Sequence, residues 1–171
     1  RIRSVNDLAQ DYVPALKGSA YGGTSLRALL TMSSGVAFSE TYDGTDDLSR
    51  FARDLRRSDL PDAASQLAVF NRRVAPPETA FAYASSETQV LGLVLAAATG
   101  MELSDYLAEK IWKPMGAEYS ADMAVDAHGA ARAAGGICAT LRDIGRVGTL
   151  MTSRPVVDLA PAAFLHDTYL G

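Results

Sequence analysis

The feature that most limits the possible folds is the stretch from Ser86 to Gly100, in which Val90, Leu91, Val94, Leu95 and Ala98 leave no continuous polar side. At 3.6 residues per turn this segment is apolar nearly all round, and a helix of that kind is buried. It is therefore expected at the centre of the domain, with Gly100 as the left-handed residue that ends it. Its longest unbroken apolar run, Val90 to Ala98, is about half of what a bilayer span requires, so no membrane span is expected.

Helical periodicity recurs on both sides of this segment. Thr24 is placed to N-cap a helix carrying Leu26, Leu29 and Leu30 to about Met32, where Ser33-Ser34-Gly35 stops it. Leu48, Phe51, Ala52 and Leu55 form an i, i+3, i+4, i+7 stripe, with Asp46 and Asp47 at its start and Arg56 and Arg57 at its end, as the helix dipole favours. A further helix is expected over Asp62 to Asn71. Leu103, Tyr106, Leu107 and Ile111 share one face of another, which ends at Pro114 and Gly116. Thr140 and Asp143 form a capping pair for a helix that would bury Leu141, Ile144, Val147 and Met151. A short apolar helix is expected at Ala162 to His166. Strand signals are thin: Phe81 and Tyr83 alternate with alanines after Pro76-Pro77, and Glu118 to Cys138 reads as loop with one short strand. With no repeat or linker, residues 1–171 read as a single, mainly helical unit.

Composition narrows the function. Of 171 residues, 48% are hydrophobic and 21% charged, enough for a core without disulfides or metals. Sixteen basic against 20 acidic residues give a net charge of −4, which offers nothing to follow a phosphate backbone. The cluster Arg50, Arg53, Arg56, Arg57, Arg72 and Arg73 is interleaved with Asp54 and Asp59 and reads as a solvated face. Cys138 is the single cysteine, and His128 and His166 share no ligand spacing, so neither a disulfide nor a metal site is expected. Asp43, Asp46 and Asp47 lack EF-hand spacing and read as loop and helix-start acids. No P-loop, G-x-G-x-x-G or G-x-S-x-G occurs, and no cofactor is implied. The chain opens on Arg1 without a Met or a signal peptide, and is expected to be an internal piece of a longer protein.

The informative segment is Pro76 to Gln89. Tyr83 sits on an extended piece just before the N-terminus of the central helix, a setting expected to be rigid, partly dry and electropositive. A tyrosine there serves as a base near neutral pH only with a cation's help; without one it is a packing residue. Tyr83-Ala84-Ser85 resembles the Tyr-x-Asn or Tyr-x-Ser motif of the serine hydrolases related to class C β-lactamases, D-alanyl-D-alanine peptidases and 6-aminohexanoate-dimer hydrolases. Thr24 to Gly35 resembles that family's LLTHTSG segment, and Pro77-Glu78-Thr79 its Pro-Gly-Thr turn. Gln89-Val90-Leu91-Gly92 through Gly100 is similar to its following helix, Lys113-Pro114-Met115-Gly116 to its Pro-Leu-Gly turn, and Ala134 to Asp143 to its Gly-Gly-x-x-Ser/Ala-Thr-x-x-Asp segment. The departures are Glu78 where glycine is frequent and Met32-Ser33 where His-Thr is frequent.

The resemblance implies the helical subdomain of an α+β, β-lactamase-like fold. It further implies an acyl-enzyme hydrolase of small-molecule amides or esters, with Tyr83 catalytic and Ser85 binding substrate. The family's Ser-x-x-Lys is missing: Lys17, Lys110 and Lys113 are preceded at three residues by Pro14, Leu107 and Lys110. The Lys-Thr-Gly or His-x-Gly motif is missing too. Both are expected to lie outside the chain, which would then be inert by itself and would expose the apolar faces that packed on the absent sheet, favouring self-association. Two rival readings stay open: a non-catalytic sensor on the same fold, which the upstream sequence would reveal, and a helical interaction domain docking through its arginines.

Overall fold

The computed structural model describes residues 1–152. Its helices are α1 (Leu26–Leu30), α2 (Asp47–Asp54), α3 (Ala63–Ala68), α4 (Ser85–Thr99), α5 (Leu103–Leu107) and α6 (Leu141–Thr149). Two 3-10 turns, Ala9–Asp11 and Pro14–Leu16, precede α1, and α5 runs on into one π-helical turn, Ala108–Trp112. Strands β1 (Asp122–Met123) and β2 (Ile137–Cys138) pair antiparallel, Asp122 opposite Cys138. The Glu118–Cys138 stretch thus holds two short strands where the sequence suggests one.

The apolar helix lies where its composition requires. Val90 and Val94 of α4 are buried against a core of Leu16, Tyr21, Leu26 and Leu29 from the N-terminal segment and α1, Phe51 and Leu55 at α2, and Leu67 of α3. Phe70 joins it edge-on to Phe38 at 5.0 Å and to Phe51 at 6.4 Å. Gly100 closes α4 at φ 68°. Midway along, a Cβ at Gly92 would collide with that of Ala133, so the missing side chain is what lets the 131–134 loop lie against α4.

The caps follow side-chain chemistry. Asp46 accepts from the Ser49 amide at 2.7 Å and Asp62 from that of Ser65 at 2.9 Å. Thr140 caps α6, its hydroxyl donating to Asp143 at 2.8 Å and accepting from the Asp143 amide. The cap of α1 is Ser25, not Thr24. Ser25 has the extended backbone that a cap needs and accepts from the Ala28 amide, whereas Thr24 is turned inward and donates to the Ala20 carbonyl at 2.8 Å.

The surface departs from expectation at α6. Leu141 is 87% exposed, and Ile144 and Met151 are exposed too, because nothing among the described residues covers that side. The one buried residue of α6 is Asp143, whose carboxylate takes the amides of Glu118 and Tyr119 and the Arg146 guanidinium. The arginine cluster divides. Arg50 pairs with Asp47 and Arg57 with Asp59 at the surface, while Arg73 turns in to bond the Ser34 and Ala20 carbonyls and Thr24. No single helix among the described residues is long and apolar enough to cross a membrane. The helix expected at Ala162 to His166 lies outside the described residues.

Candidate active site

The extended segment before α4 is held by backbone bonds to one loop rather than by a strand. The Glu78 amide donates to the Ser33 carbonyl and the Ala82 amide to the Met32 carbonyl, both at 2.8 Å. Glu78 adopts φ 65°, a left-handed conformation that explains the glycine frequent at this turn in the resembled family. Its carboxylate offsets part of that cost by accepting from the Ser25 hydroxyl at 2.9 Å. Phe81 within this anchored stretch and Tyr83 just beyond it both face outward, while Ala84 is buried. Tyr83 is 55% exposed, so its ring is open to solvent on the side where the sequence suggested a partly dry setting.

The first turn of α4 is polar and buried, and each of its residues is tied to a different part of the chain. Ala84 stands at the N-cap, where it has no side-chain oxygen to offer the free amides. Glu40, 45 residues away, supplies the cap: its two carboxylate oxygens take the Ser85 amide and the Ser85 hydroxyl, each at 2.7 Å. Ser86 pairs with the Tyr21 hydroxyl at 2.5 Å. Glu87 accepts from the Ser34 hydroxyl at 2.7 Å. Gln89 bridges the Ala131 carbonyl and the Ala134 amide. Burial raises the Glu87 carboxyl to about 7, opposed by the Ser34 bonds and by the Arg73 charge.

Glu40 also brings a second phenol to the site. The Tyr42 hydroxyl donates to Glu40 Oε1 at 2.7 Å, and Tyr42 is 71% exposed in a left-handed backbone at φ 60°. That bond holds the Tyr42 proton, raising its pKa to about 12, with the charge of Glu40 and the neighbouring Tyr83 phenol acting in the same direction. Tyr83 and Tyr42 thus flank the N-terminus of α4. Ser85, read from sequence as a substrate contact, is 7% exposed and has its hydroxyl committed to Glu40. Sequence reasoning missed Glu40 and Tyr42, because no spacing links a loop residue to a helix start 45 positions on.

Replacing Glu40 with alanine is expected to cost on the order of 1–2 kcal/mol through the lost cap. It should also lower the Tyr42 pKa from about 12 towards that of a free phenol. A urea midpoint and a phenolate absorbance titration check both, and an unchanged titration would show that the Tyr42–Glu40 bond does not form.

The described residues form a helix-rich fold about the buried α4, with the exposed Tyr83 just before its N-terminus. The β-lactamase family profile matches residues 3–167. The chain is 32% identical over 147 residues to the 6-aminohexanoate-dimer hydrolase of Paenarthrobacter ureafaciens, across 82% of this chain and 37% of that protein. A Bacillus anthracis protein assigned as a 6-aminohexanoate-dimer hydrolase superposes with a TM-score of 0.82 at 23% identity, over 96% of this chain and 46% of that one. A D-stereospecific amidohydrolase from a Streptomyces species shares the fold at a TM-score of 0.66 and 17% identity, over 98% and 58% of the two chains. A class C β-lactamase from Rhodobacter sphaeroides does so at 0.56 and 20%, over 90% and 47%. The chain belongs to the β-lactamase family and spans less than half the length of the 6-aminohexanoate-dimer hydrolases that it matches.

Proposed function

We propose that this chain is the helical subdomain of a serine hydrolase that cleaves small-molecule amides or esters through an acyl-enzyme. The observation that carries the reading is the placement of Tyr83: an exposed phenol on a segment fixed at Glu78 and Ala82, at the start of a buried helix. A serine hydroxyl from outside the chain adds to the substrate carbonyl while Tyr83, as phenolate, takes its proton. Collapse of the tetrahedral adduct expels the amine or alkoxide, to which Tyr83 returns that proton, leaving the acyl group on the serine. Water then adds to the acyl carbonyl by the same route, releasing the acid and restoring the serine. A lysine beside the nucleophile, supplied like it from outside the chain, is the cation that the resemblance places near Tyr83. Ser85 contributes by fixing Glu40, and through it Tyr42, at the same end of α4 as Tyr83.

The name of the Paenarthrobacter relative makes a linear 6-aminohexanoate amide the first substrate to test. The full-length protein should release amine from that dimer or p-nitrophenol from a short acyl ester, and the 171-residue chain should release neither. Removing the nucleophile from such a unit costs several powers of ten in rate. Turnover of neither substrate by the full-length protein would move the reading to a non-catalytic relative on the same fold.

The exposed row Leu141, Ile144 and Met151 should make the isolated chain self-associate. Light scattering across a concentration series checks this, and a monomer at millimolar concentration would contradict it.

A further inference from the structure

Glu87 is 2% exposed, and its Oε2 is the one buried carboxylate oxygen without a hydrogen-bond partner among the described residues. Its Oε1 accepts from Ser34, whose hydroxyl in turn accepts from the Val36 amide and has no second hydrogen to donate to Oε2. An ionised carboxylate would leave charge on Oε2 with no donor, a costly arrangement in a dry site. A neutral carboxyl removes that charge: Oε1 still accepts from Ser34, and the proton on Oε2 leaves one unpaired O–H, a smaller cost than an unpaired charge.

The groups facing Glu87 do not change that balance. Arg73, from the segment after α3, directs its donors to Ser34, Ala20 and Thr24 and reaches Glu87 only as a charge. Tyr21, from the turn before α1, bonds Ser86. Helix α3 carries no titratable side chain, and Arg27 of α1, Asp11 of the first 3-10 turn and Asp105 of α5 are exposed. Arg132, half-buried on the 131–134 loop, makes no charge contact with Glu87.

What Glu87 holds is the loop that seats Tyr83. Ser34 lies between Ser33 and Gly35, and the carbonyls of Met32 and Ser33 are the acceptors for Ala82 and Glu78. A Cβ at Gly35 would collide with the Ala75 carbonyl, so this loop is packed without slack on its other side. We propose that Glu87 is a positioning residue for Tyr83: its proton keeps the Ser33–Gly35 loop, and with it the 78–83 segment, seated on the first turn of α4. Ionisation forces Oε2 to find water, which it reaches only as the loop parts from the helix and the Ala82 anchor loosens.

The inference deepens the reading of Tyr83 as the proton-moving group, and its test lets the two fail separately. In the full-length protein carrying 13Cζ-labelled tyrosine, with Tyr83 assigned through Tyr83→Phe, the Tyr83 resonance should inflect near pH 7. Glu87→Gln, which is neutral and keeps the acceptor for Ser34, should abolish the inflection. Ser34→Ala, which removes the bond favouring the carboxylate, should move the midpoint upward by several tenths of a pH unit or more. The rate of ester hydrolysis should fall on the alkaline side of the same midpoint in the wild type, and Glu87→Gln should lack that limb. A wild-type Tyr83 resonance without an inflection would overturn the proposal. So would an identical inflection in Glu87→Gln or an unmoved midpoint in Ser34→Ala. Should Tyr83→Phe retain full activity while the inflection follows Glu87, the coupling stands and the catalytic reading of Tyr83 falls.

Discussion

Tyr83→Phe in the full-length protein is expected to lower kcat/KM for amide and ester substrates by a factor of about 10²–10⁴, the range that a positioned acid–base group supplies. The substitution removes one oxygen from a ring that is already 55% exposed and outside the hydrophobic core, so folding should be spared. The unfolding free energy from urea titration should match the wild type within about one kcal/mol, as for surface changes generally. The loss belongs in kcat more than in KM, because the hydroxyl acts on a proton in flight and not on the resting substrate. Activity within threefold of wild type on both substrate classes would remove Tyr83 from the chemistry.

The second large effect is on stability. Glu87 holds its proton to about pH 7 in the folded protein, against 4.5 for an unperturbed glutamate. Between those values the folded state binds more protons than the unfolded one, so stability falls as pH rises and levels off above about 7. The span corresponds to a cost on the order of 3 kcal/mol at pH 8, carried by the buried carboxylate. Glu87→Gln removes the charge and should be more stable than wild type at pH 8 by about 2–3 kcal/mol, with the advantage vanishing near pH 4.5. Urea midpoints of both proteins at pH 5, 6.5 and 8 measure it. The difference between them cancels the other titrating groups, such as Asp46, whose carboxyl is held near 2 by the Ser49 hydroxyl and amide. A difference independent of pH would show that Glu87 does not titrate in this range.

What the sequence discloses is local. Among the described residues each helix whose stripe can be read from spacing is present, and α4 and α2 lie with their apolar residues where periodicity puts them. Asp46, Asp62 and Thr140 cap as their positions imply, because a cap is an interaction over three residues. Prediction weakens where a contact joins distant segments. Thr24 and Ser25 are both hydroxyls before the same helix, and only the bonds of Thr24 to Ala20 and Arg73 decide which one turns inward. Leu141, Ile144 and Met151 form a proper apolar row, yet amphipathicity says that a face is meant to be covered, not by what. The family-level reading was legible because Tyr83-Ala84-Ser85 and its neighbours keep their order along the chain. The geometry around it was not: Glu40 reaches Ser85 and Tyr42 through a fold that no run of residues encodes by itself.

The reading stands or falls on which serine is the nucleophile. The full-length protein and the 171-residue chain would each be incubated with a fluorophosphonate probe, followed by intact mass and by mapping of the labelled peptide. A single adduct on a serine outside these 171 residues, formed more slowly in Tyr83→Phe and absent from the isolated chain, is the expected result. An adduct on a serine within the chain, or none on the full-length protein, would contradict an acyl-enzyme hydrolase whose nucleophile is supplied from outside and whose proton is moved by Tyr83.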